Sequence, residues 1–421
     1  MKLKTVIIII STMLPNLLFS NVYNLQYLIE QAQENNIELG QSKLNVKISE
    51  SEFISSKINY LPDISASVSR TESFDTFLFE GNETNNALNF SISKSISLND
   101  DTYFNTKLSK NSLKSSELNF KIQEQKILFE VINNYVSVLE AQKKLDLYDE
   151  NIKIQENIVR ESQQLFLQDK ITSFEVQQSE INLLNARISA LDAKNNLELS
   201  REKLFDLVNI NDEGFPMEEL KTELFDSEFV LNKDEILEIQ LQNNEIDKHR
   251  INITRTKLDF FPQMSLQYNY RRNLSDSDYS YSNKSTDHTI GLNISYSLNK
   301  IFKNVQSNKQ VQYLEMHKQL SYNQIETSIE AKYEQYLKEL NYYEQLNTLL
   351  SNKLNQTNQN LEIANQKYSL GLISRLDLDN AVYENLDAKI NYEVNTYQIM
   401  LKRLSLYNLL SRVSQFVEKI K

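Results

Sequence analysis

The side chains with most capacity for chemistry in this 421-residue chain are three histidines, six methionines and pairs of neighbouring acids. A metal centre needs imidazoles, thiolates or carboxylates converging on one point, and a copper tract needs grouped thioethers. His249, His288 and His317 do not cluster, the methionines are scattered, and there is no cysteine. The histidines therefore read as surface residues, and no metal or cofactor is expected. Glu218 with Glu219 and Asp276 with Asp278 read as solvated faces, because acid–base work requires carboxylates at a shared reaction point. No glycine-rich phosphate loop is present, so any work the chain takes part in must be driven by a partner. The missing cysteines also exclude a disulfide framework and a lipid anchor on an N-terminal Cys. Nothing beyond chain length favours an enzyme.

The feature that organises the chain is a repeat. Lys57-Ile58-Asn59-Tyr60-Leu61-Pro62-Asp63-Ile64-Ser65 reads against Lys257-Leu258-Asp259-Phe260-Phe261-Pro262-Gln263-Met264-Ser265. At the same offset, Phe90-Ser91-Ile92-Ser93 reads against Ile290-Gly291-Leu292-Asn293. The chain is one unit written twice. Each Pro marks a junction between helix-like and strand-like text, since its ring removes a donor and restricts the residue before it.

The N-terminus reads as an address. Lys2 and Lys4 precede an apolar run from Thr5 to Phe19, with a passable cleavage site at Leu18-Phe19-Ser20. Residues 1–20 fit a cleaved signal peptide, the alternative being an uncleaved anchor. Cleavage takes the net charge from −12 to −14, which argues against nucleic acid as a partner. With five glycines and four prolines in the whole chain, long helices are favoured over a loop-rich enzyme.

Periodicity predicts helices over 25–60, 103–168 and 173–208 in a first repeat (21–210). An acidic linker or equatorial insertion (211–232) follows. A second repeat (233–421) carries helices over 233–261, 305–368 and 374–410. The stretch from Ile329 through Tyr333, Tyr336, Leu340, Tyr343 and Asn347 to Tyr368 steps by four and three alternately, a coiled-coil register. The long helices would run roughly 100 Å, with two shorter helices end to end beside each. Such a rod cannot bury its apolar stripes alone.

Four short segments alternate instead. Ile64, Ala66 and Val68 face away from Ser65, Ser67 and Ser69; Leu88, Phe90, Ile92, Ile96 and Leu98 face away from Asn89 and a run of serines. Met264, Leu266, Tyr268 and Tyr270 form a third segment, and Ile290, Leu292, Ile294, Tyr296 and Leu298 a fourth. One apolar and one Ser/Asn face over about 9–11 residues is the signature of a transmembrane β-strand. Tyr60, Tyr103, Phe104, Phe260, Phe261 and Phe302 would form an interfacial girdle. Lys94 falls on the proposed lipid face, where it is costly away from an interface. Four strands cannot close a barrel in lipid, so the chain must oligomerise, and three copies give an even-numbered, 12-stranded barrel.

Over essentially the whole mature sequence the chain resembles the TolC-like outer membrane efflux protein family. Its pattern of a helix leading into Leu-Pro and a strand appears at Leu61-Pro62 and, with Phe for Leu, at Phe261-Pro262. A second pattern reads Tyr368, Gly371, Asp377 and Ala381; its first copy, Phe166, Asp169, Glu175 and Ser179, departs at three of the four positions. The resemblance implies a mostly α homotrimer with a 12-stranded barrel and a helical tunnel in the periplasm. It also implies adaptor proteins of an inner-membrane transporter docking on the tunnel tips. By position, Asp377 and Glu175 become pore-tip acids, and Tyr368, Gly371, Phe166 and Asp169 the tip turns. A frequent second acid is Asn380 here, while Asp379 should face elsewhere on the helix. Ile373 stands where some members have an Arg bracing the closed gate, and Tyr368 is left to pair with Glu175. Asp169 in place of glycine suggests a first tip of different shape.

The function so implied is a passive outer-membrane exit duct of a tripartite efflux pump or type I secretion system. The competing reading is a periplasmic coiled-coil adaptor or scaffold without a membrane barrel, whose β-part should be richer in glycine and proline turns.

Overall fold

The computed structural model describes residues 22–73, 83–96, 101–220, 225, 228–274 and 286–420. The leader, the strand end at Leu98, and Asp276 with Asp278 lie outside the described residues. Helices α1 (Leu25–Asn35) and α2 (Ile37–Ile58) lead into strands β1 (Asp63–Ser73) and β2 (Glu83–Ile96). Helices α3 (Asp101–Leu167) and α4 (Ser173–Val208) follow. The scheme then repeats as α5 (Leu237–Leu258), β3 (Gln263–Leu274), β4 (Thr286–Ser295), α6 (Asn299–Ser369) and α7 (Arg375–Leu409), with a last short helix, α8 (Val413–Ile420).

The single helix expected over 25–60 is two. Asn36 is extended (φ −69°, ψ 122°) and serves as C-cap of α1 and N-cap of α2, its Oδ1 accepting from Leu39 N at 3.0 Å. Its Nδ2 donates to the Leu207 carbonyl at 3.1 Å, at the end of α4. A side chain that competes with the helix for backbone partners thus joins two helices end to end. In the second repeat the Leu237 N–H donates to Ser411 Oγ at 3.2 Å, joining α5 to the end of α7. The helix expected from 233 is accordingly a 3₁₀ turn at Lys233–Glu235 followed by α5. With 67 and 71 residues, α3 and α6 run roughly 100 Å each, with the shorter helices of each repeat packed along them.

The sheet order is β1-β2-β3-β4, antiparallel throughout. Register sorts the faces: Ile64 stands opposite Ile92, Ile92 opposite Tyr268, and Tyr268 opposite Ile290. The row on the other face is Ser65, Ser91, Asn269 and Thr289, with a 2.7 Å bond between the two serine hydroxyls. A one-residue slip would mix the faces. Two strands start earlier than their apolar pattern: β2 at Glu83, where pairing with Arg70–Ser73 extends a polar segment, and β4 at Thr286. Lys94 stands on the apolar face opposite Leu266 and turns its ammonium to the Asn59 carbonyl at 2.8 Å, at the C-terminus of α2. That reach takes the charge to the helix-side edge of the sheet. Phe104, expected in the girdle, is buried instead, edge-on to Tyr103 at 5.2 Å.

The main apolar core lies halfway along α3. Ile127, Leu128, Val131, Ile132, Tyr135 and Val136 are buried there against α1, the ends of α4 and α7, and α8. Tyr23 enters this core as a strap: its N–H donates to the Pro216 carbonyl and its carbonyl accepts from Glu218 N, both at 2.9 Å. The fully buried Tyr135 hydroxyl reaches the carbonyls of Glu218 (2.7 Å) and Tyr23 (3.1 Å), and burial holds its pKa well above the ordinary tyrosine value. Tyr135→Phe removes the donor shared by both segments and should cost about 1–2 kcal/mol. A thermal midpoint in detergent identical to wild type would show that the strap does not depend on it.

Candidate functional site

At the end of the helices far from the sheet lie two turns, α3–α4 and α6–α7. The second is built on Gly371 (φ 70°). Its N–H donates to the Tyr368 carbonyl and that of Leu372 to the Lys367 carbonyl, both at 2.9 Å. This nested pair satisfies carbonyls that a helix end otherwise leaves bare. The first turn makes the same pair. Asp169 N bonds the Phe166 carbonyl at 2.9 Å and Lys170 N the Leu165 carbonyl at 3.0 Å, with Asp169 at φ 55°. The backbone difference expected from Asp169 is therefore absent; aspartate takes the left-handed conformation at a cost.

Each return helix opens on a capping box. Thr172 Oγ1 accepts from Glu175 N, and Glu175 Oε2 accepts from Thr172 N at 2.8 Å and from its hydroxyl at 3.0 Å. Ser374 and Asp377 repeat this, with Asp377 Oδ2 2.7 Å from the Ser374 hydroxyl and 3.0 Å from its N–H. Glu175 and Asp377 thus satisfy orphan donors and place negative charge at a helix N-terminus. The Ser374 hydroxyl, and then its N–H, hold the exposed Asp377 carboxyl below the ordinary aspartate value.

Asp379, two residues on, faces elsewhere on the helix as expected, and there it turns inward and is buried. Its Oδ1 accepts from Arg375 Nε and its Oδ2 from Asn182 Nδ2, both at 3.1 Å. Burial raises its pKa, opposed by the Arg375 charge and these bonds. Arg375, also buried, lies 5.1 Å over the Tyr368 ring, 3.7 Å from Glu161 on α3, and leaves Nη2 without a partner. One guanidinium therefore touches α3, α6 and α7, and its carboxylate holds α4. Sequence reading missed Arg375. The available signals were the i, i+4 spacing to Asp379 and a cation in a first helical turn, where the dipole disfavours it. The first repeat has Ser173 and Gln177 at these positions.

Tyr368 and Ile373 pack on a small core of Ala364, Leu378, Ala381 and Val382. Among the described residues no hydrogen bond joins Tyr368 to Glu175: the Glu175 carboxylate is taken up by Thr172, and the Tyr368 ring lies against Arg375. Outside this core the tips expose Leu167, Phe174, Leu370, Leu372 and Leu376. Among the histidines, burial and then Lys318 hold the half-buried His249 below its ordinary pKa. His288 Nδ1 pairs with the Tyr268 hydroxyl at 2.9 Å on the sheet.

A family model described as outer membrane efflux protein matches residues 28–209 and 236–412. No curated protein matches. Among solved structures the fold is similar to that of CusC (TM-score 0.85, 14% identity, 92% of this chain and 91% of that one). It is also similar to the open state of the MtrE outer membrane channel of Neisseria gonorrhoeae (0.80, 17%, 92% and 88%). The CmeC outer membrane channel of Campylobacter jejuni gives 0.78 at 16% identity, over 94% and 88%.

Asp379→Ala leaves Arg375 buried beside an exposed Glu161 only, and should lower stability by about 3 kcal/mol. At the turns, Gly371→Ala meets no neighbour within 4 Å, so its cost is conformational alone, about 1–2 kcal/mol. Asp169→Gly should raise the thermal midpoint for the same reason. Opposite shifts for these two substitutions in thermal melts would support equivalent turns.

Proposed function

The chain belongs to the outer membrane efflux protein family and is an outer-membrane channel with a periplasmic helical extension, and we propose that three copies form a passive exit duct. The observation that carries the trimer is the sheet. It has an apolar face, a Ser/Asn face and two unpaired edges, β1 and β4. Open edges are not tolerated in hydrocarbon. Since β1 and β4 run in opposite directions, β4 of one copy meets β1 of the next in antiparallel pairing. Three copies close a 12-stranded barrel with a wet lumen. On α4, Ile181, Leu184, Ile188 and Leu191 form an exposed stripe at three–four spacing, the kind of seam that a neighbouring helix covers.

Residues 1–20 act as the export signal, 21–210 and 233–421 as the two repeats, and 211–232 as the insertion between them. Pro62 and Pro262 mark the turnover from tunnel to barrel. Phe166, Asp169, Tyr368 and Gly371 shape the periplasmic tips, whose exposed leucines and Phe174 offer apolar contact to an adaptor. Through that adaptor an inner-membrane transporter supplies the energy. Asp377 and Glu175 give the entrance its negative charge, and Arg375 with Asp379 takes the bracing role that Ile373 cannot. The chain performs no bond chemistry. The matched family favours this reading over a periplasmic scaffold.

Single-channel recording tests the entrance. Glu175→Gln with Asp377→Asn removes charge but keeps side chains that can still cap, so cation preference should fall several-fold while the melting temperature drops only by the lost charge–dipole contribution. The double alanine variant should lower the melting temperature further, because it also removes the N3 half of each capping box. Because the Asp377 pKa is depressed in the folded state, its stabilisation is present above the unfolded value and lost as pH falls through the lower folded one. Cation preference should therefore persist to about pH 4 and below. Selectivity identical in the amide variant would remove both acids from the entrance.

A further inference from the structure

We infer that the level where helices meet strands is a collar that binds the anionic headgroups of the lipid leaflet on the periplasmic side. The inference rests on the sheet spanning the membrane. The collar is written in the repeat. Lys57 and Lys257 close α2 and α5, each three residues before an exposed aromatic, Tyr60 or Phe260. Lys94 adds a cation on the apolar face of the sheet, drawn to the same level by its bond to Asn59. Amphipathic aromatics beside lysines mark a membrane interface.

Helix dipoles account for only part of this. A lysine in a last turn complements bare carbonyls, which suffices for Lys57 and Lys257. Lys300 and Lys303 stand instead in the first turns of α6, around Phe302, which is 77% exposed. There the dipole disfavours a cation. Lys107 lies in the second turn of α3, beyond the reach of the helix dipole, which leaves its placement equally unexplained by it. From Thr102 to Ser116 in α3, and from Asn299 to Leu314 in α6, there are lysines and no acid, in a chain of net charge −12. What these cations share is their level along the molecule, not helix polarity.

Nor do the described ion pairs match the lysines of the second repeat. Arg255 is paired with Asp101, and Asp63 and Asp259 lie at the same level. Among the described residues, Lys257, Lys300 and Lys303 make no ion pair. Basic side chains against a bilayer surface attract anionic lipid, and the effect adds with each cation. A threefold assembly would repeat the collar around its circumference.

The test is lipid retention. Full-length protein in mixed phosphatidylglycerol and phosphatidylethanolamine bilayers is extracted in mild detergent, and its bound lipid is counted by native mass spectrometry. Wild type and a Lys257→Arg, Lys300→Arg, Lys303→Arg variant should retain phosphatidylglycerol in excess. Glutamine at the same three positions should cut that excess at least fivefold. Equal retention by the glutamine variant overturns the collar. So does a shift of its channel toward cations with retention unchanged, which would put the lysines in the lumen. Wild-type conductance in the same bilayers reports on the channel reading separately.

Discussion

A peptide group in hydrocarbon must be hydrogen-bonded, because no water is there to replace a missing partner. The four-stranded sheet satisfies this inside and fails it along β1 and β4. The trimer proposed above would complete it, and the other features of the fold fit that closure. The repeat supplies two hairpins of the same face alternation, so that every strand presents its apolar side outward together. In the proposed trimer the long helices extend the wall of the closed sheet into a tube. Exposed stripes such as that on α4, a liability in a monomer, are then seams awaiting a neighbour.

The helical tube is held by different means at different heights. At mid-length a broad apolar core locks α3 to α1, α4, α7 and α8, and Tyr135 ties in both the N-terminal strap and the segment after α4. Toward the tips the buried residues of α4 are small or polar: Ser179, Asn182, Ala186, Ala190 and Ala193. Between α6 and α7, Asn385 bonds Thr357 and Asn358, and Asn395 bonds Asn347 and the Tyr343 carbonyl. Polar core positions fix register at a cost in stability. The tube is thus anchored at its waist and held more weakly at its free end.

Much of this was legible in the sequence. Pro62 and Pro262 mark a change from helical spacing to strict alternation, and the break read between 168 and 173 is where α3 ends at Leu167 and α4 begins at Ser173. What escaped were breaks made without glycine or proline. Asn36 ends one helix and starts another through its own amide, and Ser411 takes φ 57° to separate α7 from α8. The start of β2 was hidden because Glu83–Asn86 has no apolar alternation and is extended by its partner strand. Tip acids were found by position, but their capping role only by geometry. Arg375 and Asp379 hinted at a pair, whereas their link to Asn182, 197 residues away, is tertiary and leaves no local mark.

That last cluster makes the two tips unequal. Turns and capping boxes are shared, but among the described residues only the second hairpin carries a buried ion pair. Because Arg375 and Asp379 sit four apart on one helix, the pair travels with α7 if the hairpins separate. Such a movement breaks the Asn182 bond and the long Glu161 contact, but not the pairing of the charges. Breaking a buried pair by losing one member is expensive. Moving an intact pair toward water relieves the desolvation that raises the Asp379 pKa and frees Arg375 Nη2 to find a partner. A leucine pair at the same place would lose its burial with no such return. The charged brace therefore holds α7 in register at a small difference between docked and undocked, which suits the partner-opened tip proposed above.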